Sequence, residues 1–163
     1  MESINRTFTH VDDSNNYPAM VDVSAKAITR RIAVAKSIVV VNNEIIEHFI
    51  DNDIQTKKGP VFQTAIIAGT MGAKKTADLI PLCHPLALES IKIDISINGQ
   101  KEIVIICTAV VTSKTGVEME ALTGASIAAL TIYDMCKALS HDIVIKETKL
   151  VEKTGGKSDY QSK

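Results

Sequence analysis

The chain has 163 residues, 45% of them hydrophobic but only 4% aromatic with no tryptophan, so one domain with an aliphatic core is expected and no stacking platform for nucleic-acid bases is offered. A formal net charge of −1 excludes a broad electrostatic surface for DNA or RNA and leaves room for a local basic pocket that takes one phosphorylated small molecule. Cys83, Cys107 and Cys136 are odd in number and widely spaced, no secretory or transit signal is evident, and no apolar run approaches the length needed to span a bilayer; these point to a reduced, cytoplasmic protein with no membrane partner.

In chain order, residues 1–27 read as an irregular, extended arm, with the polar turn Asp12-Asp13-Ser14-Asn15-Asn16-Tyr17-Pro18 inside it. Thr29 to Val41 is β-branched and apolar, which predicts a strand. Glu44 to Ile50 takes helical spacing through Ile45, Ile46, Phe49 and Ile50, and Asp51 to Gly59 follows as a charged loop. Pro60 suits the first turn of the next helix, which is expected to run to Leu79 and stop before Pro81. Gly69 and Gly72 inside it each cost about 1 kcal/mol relative to Ala and so imply close backbone packing or ligand approach. Ser90 to Ile97 alternates Ile91, Ile93, Ile95 and Ile97 with polar residues, the pattern of a half-buried strand. Asn98-Gly99 begins a turn into a second strand, Glu102 to Thr112. A two-residue turn would set Ile95 against Glu102, so a longer loop that matches Ile95 with Val104 or Ile105 is favoured. A long helix over Gly116 to Leu139 and a last strand over Ile143 to Val151 complete an α+β chain of order β-α-β-β-α-β, the ferredoxin-like arrangement, with an antiparallel sheet and helices on one face. Residues 153–163 are expected to form a flexible basic tail to a single domain spanning 1–163.

The long helix carries the chemistry-bearing anomaly. Glu118, Glu120, Asp134 and Lys137 stand on a segment that is otherwise small and apolar. Asp134 and Lys137, three apart, share a face; they form either a surface ion pair or a desolvated Lys whose pKa is pulled toward neutrality beside a carboxylate, fit for proton transfer. Glu118 fits a capping box with Thr115 as well as it fits a site, whereas Glu120 has no capping role. Lys58-Gly59 precedes a helix start, where an anion would be attracted, although a solvated loop lysine fits too. Pro81 and Pro85 bracket Leu82, Cys83 and His84 and hold them extended, so His84 is either presented to a ligand or is a structural histidine. No Cys or His pair stands at metal-ligand spacing. Lys153-Thr154-Gly155-Gly156-Lys157-Ser158 is not a P-loop, since Val151 stands where the pattern needs glycine and no helix follows; it is a basic segment able to close over an anion.

Taken together, Met20-Val21-Asp22-Val23-Ser24, Lys58-Gly59, Ile67-Ala68-Gly69, Ile80-Pro81-Leu82-Cys83-His84-Pro85-Leu86, the Gly116 to Lys137 block and Lys153 to Ser158 closely resemble the cyclic pyranopterin monophosphate synthases, enzymes of the second step of molybdenum cofactor biosynthesis, over nearly the whole chain. The resemblance implies a pyrophosphate-releasing lyase that rearranges 3′,8-cyclo-7,8-dihydroguanosine 5′-triphosphate into cyclic pyranopterin monophosphate. It implies a homohexamer, a trimer of dimers, with active sites between subunits. By the same resemblance the catalytic residues are Asp134, Lys58 and Lys137, and substrate is bound by Leu82, Cys83, His84, Met119 and Glu120, with Glu118, Arg31 and Lys153 as further contacts. No cofactor is required, although Mg²⁺ can accompany the triphosphate. The chain departs from the family pattern at Pro60, where an acidic residue commonly follows Lys-Gly, at Ile66, at Gly72 and Gly124 where Ala is common, at Asp159, and in lacking a glycine after His10-Val11-Asp12. A noncatalytic nucleotide-binding module is the competing reading, and such a module has little use for the Asp134 and Lys137 pair.

Overall fold

The computed structural model describes residues 17–162; most of the expected arm and the His10-Val11-Asp12 segment lie outside the described residues. Strand β1 (Thr29–Val40) leads into a single helical turn, α1 (Asn43–Ile46). Asn42 caps it, with the Ile45 N–H donating to Asn42 Oδ1 at 3.1 Å. The helix expected to reach Ile50 stops there, because Phe49 and Ile50 form β2 (Phe49–Ile50) and pair with β3 (Asp53–Thr56). Asp51 and Asn52 both take positive φ, 52° and 65°, the conformation of a two-residue I′ hairpin turn. The expected loop from Asp51 to Gly59 is therefore a pair of hairpins, closed by β4 (Gly59–Pro60) against β3.

Helix α2 (Val61–Lys74) follows Pro60, which occupies the N-cap position. One continuous helix to Leu79 was expected; instead Lys75 leaves helical geometry at φ −107° and ψ 14°, and a short α3 (Thr76–Leu79) follows. Strands β5 (Ser90–Ile97) and β6 (Glu102–Ser113) then pair with Ile95 opposite Ile105, the longer-loop register. Lys101 supplies the left-handed residue of that loop at φ 61°, and Asn98 Oδ1 accepts from the Gln100 and Glu102 N–H groups. Helix α4 (Glu118–Cys136) is shorter at both ends than the expected Gly116 to Leu139. Strand β7 (Val144–Thr154) runs past the expected limit of Val151, and β8 (Tyr160–Gln161) folds back to pair with Glu152 and Lys153, so the segment expected to be a loose tail is a hairpin.

The fold is α+β. Five antiparallel strands lie in the order β5-β6-β1-β7-β8, with β1 central. Ala33, Ala35, Ser37 and Val39 of β1 stand opposite Ala109, Cys107, Ile105 and Ile103 of β6, and all are buried on the face that α4 covers, with α2 packed beside α4 over β5. The small residues on this face let the helices approach closely. A Cβ on Gly124 would meet Cys107 Sγ at 2.7 Å, and one on Gly69 would meet the Gly124 carbonyl oxygen at 2.7 Å, so the close packing expected of Gly69 is a contact of α2 with α4.

Candidate functional site

Helix α4 carries functional candidates at both ends. At its carboxyl end, Asp134 and Lys137 lie one turn apart, and Lys137 Nζ sits 2.7 Å from Asp134 Oδ1. Lys58, from the turn between β3 and β4, places its Nζ 3.2 Å from Asp134 Oδ2 and also donates to the Asp134 carbonyl oxygen at 3.1 Å. A carboxylate in the last turn of a helix opposes the helix dipole and sits among carbonyls without helical partners; two ammonium groups offset both effects. The cluster is about half exposed, with side-chain exposures of 50%, 57% and 48% for Lys58, Asp134 and Lys137.

Hydrogen bonding from Lys137 first, then from Lys58, holds the Asp134 carboxyl below the usual carboxylate range. The same pairing with Asp134 raises the Lys137 ammonium. Of the two readings open in the sequence, the structure shows the surface ion pair and not the desolvated amine, because Lys137 is half exposed and faces an anion. An open cavity of about 630 Å³ adjoins Lys58, lined by His48, Gln55, Met135 and Leu139 among others. His48 and Gln55 were not singled out in the sequence; they belong to the hairpin read as helix and loop.

At the amino end of α4 a second cluster assembles. The capping box is not formed: Val117 is the N-cap, without a side-chain bond, and Glu118 instead pairs with Lys153 of β7, Oε1 to Nζ 3.0 Å. Lys153 stands opposite Ala33, two residues from Arg31 on the same face of β1, and Arg31 Nε donates to the Ser113 carbonyl at 3.1 Å. Between Lys153 and β8 the chain turns through Gly155 at φ +82°, where a Cβ would collide with the Arg30 carbonyl, so glycine is required. Arg31, Lys153 and Lys157 border one small cavity of about 150 Å³, together with Gly116, Glu118 and Ser158. A concentration of cations of this kind suits an anion such as phosphate.

Beside it, and sharing Gly116 and Glu118, lies a cavity of about 290 Å³ lined by Leu82, Cys83, His84, Met119 and Glu120. The Pro-bracketed segment therefore does present His84 toward the first turn of α4. Glu120 is 4% exposed, and its carboxyl is pushed up, by burial first and then by repulsion from Glu118. Burial, followed by the Glu120 charge, also raises the Cys83 thiol, which makes it a lining group rather than a nucleophile.

The anion expected at the start of α2 is supplied by the chain itself: Asp53 Oδ1 accepts from the Phe62 N–H at 2.7 Å and Oδ2 from the Gln63 N–H at 3.1 Å. Lys58 does not serve that helix terminus. No helix among the described residues is long and apolar enough to cross a membrane.

Glu118 and Asp134 are 16 residues apart on α4, about 24 Å along its axis. The structure thus gathers every site residue expected from the sequence into two groups, Lys58, Asp134 and Lys137 at one end and Arg31, Leu82, Cys83, His84, Glu118, Met119, Glu120 and Lys153 at the other.

Residues 20–156, which contain both groups, match the model of the MoaC family. Among similar proteins, the molybdenum cofactor biosynthesis bifunctional protein of Synechocystis sp. is 56% identical over 156 residues, which cover 93% of this chain and 45% of that protein. Molybdenum cofactor biosynthesis protein 1 of Dictyostelium discoideum is 51% identical, over 94% of this chain and 27% of its own length, so this chain spans less than half of either of those two relatives. The cyclic pyranopterin monophosphate synthase of Xanthomonas oryzae is 51% identical over 93% of this chain and 91% of its own length. With a family match across the sheet, α4 and both clusters, and identities of this size over most of the sequence, the chain belongs to the MoaC family.

Proposed function

We propose that the protein is a cyclic pyranopterin monophosphate synthase, a lyase of molybdenum cofactor biosynthesis that converts 3′,8-cyclo-7,8-dihydroguanosine 5′-triphosphate into cyclic pyranopterin monophosphate and pyrophosphate. The observation that carries this reading is the Asp134 carboxylate held between Lys58 and Lys137, two ammonium groups delivered by elements far apart in sequence. Opening a guanine-derived ring and reclosing it as a pterin needs several proton transfers, for which a carboxylate and paired amines are suited. Asp134 enters as the base, and Lys58 and Lys137 steady the charge it gives up or gains.

Expulsion of pyrophosphate needs cations where negative charge grows, and Arg31 and Lys153 meet that need. Glu118 neutralises Lys153 in the free chain, so the triphosphate competes with Glu118 for that ammonium. His84, Met119 and the buried Glu120 hold the base-derived end, Glu120 accepting hydrogen bonds from ring N–H groups. Mg²⁺, where it takes part, arrives with the triphosphate as part of the substrate.

Acid–base groups act within hydrogen-bond reach of the reacting atoms, and the two clusters lie about 24 Å apart along α4. One small substrate cannot use both ends of one α4. We therefore infer that each site joins the Lys58 end of one copy to the His84 end of another, in a homohexamer built as a trimer of dimers in the cytoplasm. The order β5-β6-β1-β7 of the long strands, with α2 and α4 packed on one face, supports a ferredoxin-like subunit acting as one domain.

The test is incubation of the purified protein with the cyclic dihydro-nucleotide while pyrophosphate and pterin are followed together. Both are expected from the wild type, and neither from Lys58→Ala or Asp134→Ala. Tight binding without turnover would instead identify a nucleotide-binding module.

A further inference from the structure

The position of Lys58 depends on how the hairpin that carries it is fixed at its base. Pro60 is the N-cap residue of α2, in extended geometry at φ −71° and ψ 126°, and its side chain has no oxygen to accept the first-turn N–H groups. Asp53 takes over that function from seven residues upstream. Its carboxylate is only 3% exposed and receives the Phe62 and Gln63 N–H groups, one on each oxygen, at 2.7 and 3.1 Å. These bonds close the base of a ten-residue loop from Asp53 to Phe62, and Lys58 stands near its tip.

Within the loop the tip is tied again. Lys58 N–H donates to Thr56 Oγ1 at 3.1 Å, Thr56 Oγ1 donates to the Gly59 carbonyl at 3.0 Å, and Gly59 turns the chain at φ +110°. From this frame Lys58 Nζ reaches the last turn of α4. Burial first, and then the charge of Asp53, push the Cys136 thiol in the last turn of α4 up to about 11.

We propose that Asp53 is a positioning residue for Lys58: by supplying the helix cap that Pro60 cannot, it clasps the β3–β4 hairpin to the start of α2 and sets the Lys58 ammonium against Asp134. The proposal rests on the catalytic role of Lys58 argued above. A charged acceptor at a helix N-terminus makes short, strong bonds, and Asp53 joins β3 to α2 through both of its oxygens. A reacting group displaced by about 1 Å can lose roughly 100-fold in rate, so a loosened clasp is read in turnover before it is read in substrate affinity.

Three proteins test this: the wild type, Asp53→Asn, and Asp53→Asn combined with Pro60→Asp, which returns an acceptor to the N-cap itself. Two readouts are used, pyrophosphate-release kinetics and trace acetylation of Lys58 relative to the exposed Lys92, quantified by peptide mass spectrometry. Asp53→Asn is expected to lower kcat by about tenfold or more with KM within about threefold, and to make Lys58 several-fold more reactive as it leaves Asp134. Pro60→Asp in that background is expected to restore both, and it also guards against simple unfolding of the single variant. Unchanged Lys58 reactivity in Asp53→Asn would overturn the clasp, as would a lost kcat that stays lost once the double variant has recovered the wild-type melting temperature. If the wild type itself releases no pyrophosphate, the proposed reaction falls, while the acetylation arm still decides whether Asp53 positions Lys58.

Discussion

Asp134 and Glu120 stand on the same helix, and their surroundings push them in opposite directions. Asp134, half exposed between two ammonium groups, has its carboxyl held below the usual carboxylate range; Glu120, buried beside Glu118, resists ionisation. A carboxyl whose folded-state pKa is raised penalises the native state as pH rises through the ordinary value of about 4.3. Glu120→Gln is therefore expected to melt higher than the wild type at pH 7 and level with it near pH 3, in parallel thermal scans, while binding substrate more weakly. Asp134→Asn should leave the melting temperature nearly unchanged, because the group is exposed, and lower the rate of pyrophosphate release by roughly 100-fold or more. The residue types at these positions were legible in the sequence, but their electrostatics were not. Lys137 could be read either as one half of a surface ion pair or as a desolvated amine, and the structure shows the first: it is half exposed, and pairing with Asp134 raises its ammonium. Glu118 matched a capping box, yet the helix begins at Glu118 itself and its carboxylate turns to Lys153, a partner no local pattern could indicate.

Among the elements, β5 and its register were readable because alternation allows only one face to be buried, and a one-residue slip would expose every isoleucine. The β2–β3 hairpin was not, since Ile45, Ile46, Phe49 and Ile50 satisfy helical spacing as well; Asp51-Asn52, both in left-handed geometry, was the available signal. Hairpin and helix compete at such short lengths, and packing of Phe49 on Phe62, ring centroids 6.0 Å apart, favours the hairpin. The α2–α4 contact depends on residues without side chains. Gly69→Ala would drive a methyl group into the Gly124 carbonyl, 2.7 Å from the new carbon, and into Ile93. A loss of about 1–3 kcal/mol is expected, measured as a lower midpoint in urea with an unchanged slope.

For the whole molecule, the two ends of α4 lead to a prediction about assembly. On the proposed function, Lys58→Ala damages one half-site and His84→Ala the other, so each homogeneous variant should be inactive. If a site combines one end from each of two copies, unfolding the variants together and refolding them at equal ratio should restore about a quarter of wild-type activity, since one pairing in four then joins two intact halves. No recovery in mixed assemblies of wild-type size would show that each copy builds its site alone.

Alternating isoleucines, the Pro-bracketed His84 segment and charged residues on an apolar helix follow from local chemistry, and these made the α+β class, the main strands and part of the candidate set readable from sequence, while Arg31 and Met119 entered only through the family resemblance. Only the tertiary structure decided how those residues are grouped. Whether Glu118 caps or pairs, which carboxylate closes the start of α2, and which end of α4 each candidate joins all depend on contacts between different elements, from nine residues apart for Asp53 and Phe62 to 76 for Lys58 and Asp134. Those contacts are set by packing of the sheet and helices as a unit, where burial and partner charge outweigh any local preference.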